Sequence, residues 1–156
     1  MKNIDFSLAR YLSVQALYQM RFSEQKFENI LKQYNEWNIK NIYFDFNDSY
    51  NSMNLQVNKE YFNNLLNKYN KEKKLIFLII EENLLDNWEI QRLPKVLSSI
   101  IEVAVSEMFM NPSLSLGIIA SEYIILTESF FSKKESSFVN ALLENIFNSL
   151  TQKKIL

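Results

Sequence analysis

A chain of 156 residues with one glycine and two prolines has little with which to build tight turns. Glycine and proline are the strongest local breakers of regular structure. Long stretches instead repeat apolar residues at three- and four-residue spacing, the period of an amphipathic helix. The two features together predict an all-α protein. Its helices are expected over residues 6–22, 23–37, 58–69, 75–85, 94–110, 116–131 and 134–150. Ser23 and Asn58 are suited to N-cap the second and third, and Pro94 suits the first turn of the fifth. The run NKEKK between the third and fourth is either a break or an exposed continuation. Residues 39–57 alternate aromatic and polar residues and then fill with turn formers, which predicts a loop with a possible short strand at 42–46.

The first helix has no clean polar face. In ARYLSVQALYQM, Leu12, Ala16 and Met20 lie on one side, and Tyr11, Val14, Tyr18 and then Phe22 on another. Gln15 and Gln19 run between them at i, i+4. A helix that is apolar on two sides has two bodies to bury itself against.

Three further helices show how the rest is organised. In the last, Phe138, Val139, Leu142, Leu143, Ile146, Phe147 and Leu150 share one face, and Asn140, Glu144 and Asn148 the opposite one. In the helix after Pro94 the polar face is Lys95, Ser98, Ser99, Glu102 and Ser106. Glu107 projects instead among Val96, Ile100 and Val103. A carboxylate there must be paired, hydrogen-bonded or protonated. The expected partner is a basic or donor side chain of the first helix, or a helix-end N–H. In the helix over 116–131, Ile118 and Ile125 stand at i, i+7 among Ser121, Glu122, Glu128 and Ser129, which marks a second apolar contact, within the chain or with a partner.

Composition excludes several function classes. There is no cysteine, hence no disulfide framework or thiolate chemistry, and no histidine, the commonest general base and metal ligand. One glycine cannot write a P-loop or a dinucleotide fingerprint. Neither a catalytic site nor a metal or cofactor is expected. Seventeen basic and eighteen acidic residues give 17 − 18 = −1, so any nucleic-acid surface must be a local patch. The longest apolar run, LIFLII at 75–80, is too short to span a bilayer, and a cytoplasmic, non-membrane protein is expected.

Three segments in order resemble the NusB family of bacterial transcription antitermination factors: ARYLSVQALYQM, WEIQRLPKVLSSIIEVAVSEM and SEYIILTESFFSKKESSFVNALLENI. The family pattern has an Ala-Arg pair before Val-Gln-Ala-Leu-Tyr, then Trp and Arg-Leu-Pro, then Phe-Val-Asn. The resemblance spans essentially the whole chain. It implies a fold of about seven helices in two packed helical subdomains, taken here as 1–73 and 74–156. It also implies RNA binding without catalysis. Family members bind the boxA segment of rRNA-operon transcripts together with NusE, a small-subunit ribosomal protein, in the antitermination complex of RNA polymerase.

Carried over residue by residue, the resemblance implies RNA contacts at Arg10, which would meet phosphate, and at Phe138 and Asn140, which would stack on and hydrogen-bond bases. Gln15, near Arg10, is a candidate for the same surface. Lys133 and Lys134 stand where the family carries an acidic pair, a change that favours RNA and makes both candidate RNA contacts. Tyr18 and Glu107 match positions near the partner protein, and Ile118 and Ile125 are candidate partner contacts. The family's arginine-rich start is reduced here to Lys2 and Arg10 with Asp5 between. The alternative reading is therefore a protein-interaction module of the same fold with little RNA affinity of its own, a homodimer included.

Overall fold

The computed structural model describes residues 4–36, 56–84 and 88–155. Six α-helices make up almost all of it: α1 (Ile4–Ser23), α2 (Phe27–Glu36), α3 (Lys59–Asn83), α4 (Lys95–Met110), α5 (Leu116–Glu128) and α6 (Lys133–Gln152). A 3₁₀ turn, Ile90–Arg92, precedes α4. No strand occurs among the described residues. Most of the expected loop at 39–57, with its strand at 42–46, lies outside them.

Helix ends follow local chemistry, with one correction. Ser23 does not cap α2. It closes α1, donating its hydroxyl to the Gln19 carbonyl at 2.6 Å, and Glu24 then turns the chain at φ 53°. Asn58 does cap α3, its side chain accepting from Tyr61 N–H at 3.0 Å. Ser115 caps α5, and Ser132 with Glu135 forms a capping box on α6.

The third and fourth expected helices are one. α3 runs unbroken for 25 residues through NKEKK, across the boundary placed at 73 and 74. At about 1.5 Å per residue it is long enough to serve two clusters. Its first half gives Phe62 and Leu66 to a small core with Ala9, Leu12 and Ala16 of α1 and Ile30 and Tyr34 of α2. Its second half gives Ile76, Ile79 and Ile80 to a larger core built with α4, α5 and α6.

α1 is the other shared helix. Leu12 and Ala16 enter the small core, while Val14 and Leu17 enter the large one. Tyr11 and Met20 pack against both. The first apolar side is buried as expected, but the second only in part: Val14 is buried and Tyr11 packs against both clusters, whereas Tyr18 belongs to neither and Phe22 is exposed, as is Gln15 between the two sides. Gln19 ties α1 to α2, accepting from the Tyr34 hydroxyl at 3.0 Å and donating to Gln33 at 3.5 Å.

α4 occupies the centre, and every residue from Leu97 to Met108 is buried. That overturns the outward face expected for Ser98, Ser99, Glu102 and Ser106; of that set only Lys95 is exposed. The reason is that α1 and α3 cover this side. The serines bond back to their own helix, Ser99 to the Lys95 carbonyl and Ser106 to the Glu102 carbonyl, each at 2.7 Å. Hydroxyls satisfied in this way can be buried at little cost.

Candidate nucleic-acid and partner interface

The chemistry begins beneath the surface. Glu107 is fully buried, and Arg10 of α1 clamps it with two nitrogens: Nε lies 2.9 Å from both carboxylate oxygens, and Nη2 lies 2.6 Å from Oε1. The Tyr123 hydroxyl donates to Oε2 at 2.6 Å, and the Tyr61 hydroxyl donates to Oε1. Arg10 Nη1 reaches the Glu122 carboxylate at 3.6 Å, and Ser7 donates to that same carboxylate at 2.9 Å. The guanidinium also lies over the Tyr61 ring, 5.6 Å from its centroid. One buried carboxylate thus ties α1, α3, α4 and α5 together. Burial alone would weaken the Arg10 charge, but the hydrogen bond and field of Glu107 outweigh it and raise the guanidinium pKa.

Glu107 therefore has the α1 partner expected for it, and that partner is Arg10. The pairing alters two site assignments. Arg10 is 6% exposed with its guanidinium engaged, so it is not presented to a phosphate. Glu107, at 0% exposed, has no surface to offer a partner protein.

A second pair, with the carboxylate buried and the guanidinium half-buried, lies at the other end of α1. Arg21 pairs with Glu102 of α4 and donates to the Tyr69 hydroxyl at 3.3 Å and to Ser98 Oγ at 3.2 Å. Burial raises the Glu102 pKa, and Arg21 opposes the rise. Helical spacing gave no sign of this pair, because a serine and glutamate face looks alike whether it meets water or an arginine. Tyr61 and Tyr123 were also missed as donors; each reads in sequence as an ordinary core aromatic.

These clusters perturb the tyrosines. Burial pushes Tyr34 up to about 12, helped by the field of Tyr11. Burial and then Glu107 raise Tyr61 and Tyr123, and burial and then Glu102 raise Tyr69. Below the unfolded value of 10.0 all four phenols keep their protons in both states. Above it the unfolded chain releases them and the folded chain does not, so stability falls as pH rises from about 10 toward the folded values. In an alkaline titration followed by tyrosinate absorbance, these four should titrate above the range of a free phenol while the protein stays folded. Four normal titrations in the folded protein would refute the arrangement.

The remaining candidates are on the surface. Tyr11, Gln15, Tyr18 and Phe22 occupy one ridge of α1 at i, i+4, i+7 and i+11. Tyr18 stacks on Phe22 with centroids 6.0 Å apart, and Phe22 is 70% exposed. Tyr11 stacks on Phe130 of the α5–α6 connection at 6.3 Å. That contact lays the connection on α1 three residues before Lys133. Lys133 and Lys134 are exposed in the first turn of α6, and Asn140 is exposed further along it. Phe138 is half-buried against the large core. Ile118 and Ile125 are each 46% exposed on α5. The candidates form an α1 ridge and an α6 surface linked through Tyr11 and Phe130.

A model of the NusB family matches residues 7–148. The chain belongs to the NusB family. Curated relatives include the transcription antitermination protein NusB of Mesorhizobium japonicum, 25% identical over 88% of this chain and 85% of that protein. The NusB of Sphingopyxis alaskensis is 23% identical over 94% and 95%. Among solved structures, T. maritima NusB superposes with a TM-score of 0.71 at 17% identity, covering 96% of this chain and 94% of that one. A chain from a crystal structure of the antitermination factors NusB and NusE in complex with dsRNA superposes at 0.67 and 21% identity, covering 92% and 96%. At these identities the structural likenesses speak for the NusB fold alone. No described helix is long and apolar enough to cross a membrane.

Proposed function

We propose that this chain is a transcription antitermination factor that binds boxA RNA of rRNA operons as a heterodimer with NusE, within the antitermination complex of RNA polymerase. Membership of the NusB family over residues 7–148 carries the reading. The occurrence of a NusB together with NusE and RNA in a solved complex of the same fold supports it. Lys133 and Lys134 supply the phosphate contacts in this reading, Asn140 and Phe138 meet bases, and Gln15 borders the RNA on α1. Tyr18, with Phe22 beside it, supplies the NusE contact. Arg10 acts from beneath, holding α1 against α4 and α5 through Glu107 and Glu122.

The test is a titration of boxA RNA and a scrambled RNA, with and without NusE, at two salt concentrations. Binding should tighten with NusE, favour boxA and weaken with salt. Lys133→Glu with Lys134→Glu should reduce affinity for both RNAs and flatten the salt dependence, since each lost phosphate contact removes roughly 0.7 from the log–log slope on a single strand. Asn140→Ala should reduce the preference for boxA. NusE binding with no gain in RNA affinity or selectivity would leave the interaction-module reading, which the reduced N-terminal arginines favour.

A further inference from the structure

The Arg21–Glu102 pair closes the inner end of a groove of about 500 Å³ between α1, α3 and α4. Tyr69, Phe77 and Leu78 give it apolar walls, and Lys73 and Lys74 stand at its solvent side. Leu78 is 58% exposed, an apolar side chain with no covering neighbour proportionate to its size. Among the described residues neither lysine has a carboxylate within ion-pair distance, whereas Lys68 is paired with Glu72 one turn earlier. Arg21 and Glu102 cancel each other, so the groove carries two uncompensated positive charges around an apolar cleft.

We propose that this groove docks an acidic segment of a partner protein, one large apolar side chain filling the cleft and flanking carboxylates meeting Lys73 and Lys74. Charge complementarity selects the occupant. A nucleic acid would satisfy the lysines but would leave the Phe77–Leu78 wall largely unused. An acidic peptide uses both the cations and the wall. Apolar anchors fix such a segment in place, and rim charges steer its approach and reject basic competitors. The site lies apart from the α6 residues assigned to RNA and does not depend on that assignment.

The experiment is selection of a random dodecapeptide phage library on the full chain, with a Lys73→Glu/Lys74→Glu variant as the counter-target. Both lysines are exposed, so the variant should fold, which circular dichroism will check. Enriched peptides should combine a Phe, Leu or Trp with several Asp or Glu. Their affinity by fluorescence polarisation should fall at least tenfold in the double variant and severalfold in Leu78→Ser, and should weaken with salt. No enrichment, enrichment of peptides without acidic residues, or binding indifferent to the lysines would overturn the proposal. So would displacement of the peptide by a dodecameric oligouridylate, which would hand the groove to nucleic acid. Titration of boxA RNA and NusE against the same variant separates the two readings: both should bind it as they bind the unaltered chain, whether or not a peptide is found.

Discussion

Replacing Arg10 by Met should cost about 3–5 kcal/mol of folding stability, the usual loss when one partner of a buried ion pair is removed. Glu107 would keep its two phenol donors but lose its counter-charge, at a point with no access to water. For a domain of this size that is a fall of very roughly 6–20 °C in Tm. Arg10→Lys should recover only part of it, because an ammonium cannot reproduce the two-nitrogen clamp. The double variant Arg10→Met/Glu107→Gln should be less destabilised than the sum of its single changes. The buried charge is then gone and the amide oxygen can still accept from one tyrosine. Urea unfolding of the four proteins measures the coupling. A loss under about 1 kcal/mol for Arg10→Met would mean that Arg10 is not the counter-charge, and would return it to the pool of phosphate-binding candidates. If the structural role is right, Arg10→Met should lose RNA affinity only as far as it loses folded protein.

Much of this centre was legible from helical spacing, but the decisive link was not. Glu107 stood out because it falls on the apolar side of α4, and a buried carboxylate needs a partner whatever the fold. A basic residue of α1 followed as one of the few sources, since that helix has two buried sides. Arg10 was also the residue that the family pattern offers to phosphate, and the two demands fall on the same guanidinium. Burial resolves the conflict: Leu8, Ala9 and Leu12 seat that stretch of α1 in the protein, and Arg10 goes in with them.

Where spacing misled, the physical reasons differ. NKEKK, polar all round, left a break and an exposed continuation both open, and the continuation holds because Lys and Glu are good helix formers and the run contains no glycine or proline. α3 therefore continues through it with that stretch turned largely to solvent. The serine and glutamate face of α4 carried no sign of its burial, because the arginine that neutralises it sits in the last turn of α1, far away in sequence. Tyr18 with Phe22 read in sequence as part of an apolar side of α1 to be buried, and Ile118 with Ile125 as a second apolar contact on α5, so sequence could not rank one pair above the other as a partner surface. The structure adds that the first pair is an aromatic stack on the shared helix and that the second lies on the open side of α5.

That ranking leads to the other large effect. Tyr18→Asp should weaken binding of NusE by about 30-fold or more, equivalent to about 2 kcal/mol and typical of a central aromatic contact. Phe22→Ser should weaken it as well, both by losing its own contact and by removing the ring against which Tyr18 stacks. Neither change should cost much stability. Phe22 is 70% exposed, and substitutions at exposed sites usually shift stability by no more than about 0.5 kcal/mol. Tyr18 is half-buried, and its ring meets Phe22 instead of the centre of either core. Ile118→Glu and Ile125→Glu provide the comparison, because they place a charge on the competing apolar surface without touching α1. Calorimetric titration of NusE into each variant then distinguishes the two faces. Loss confined to Tyr18 and Phe22 assigns the partner to the α1 ridge. Loss confined to the isoleucines moves the partner to α5 and defeats the assignment of Tyr18. The α1 ridge is the stronger expectation because it presents two rigid rings already stacked, so little side-chain freedom remains to be lost on docking.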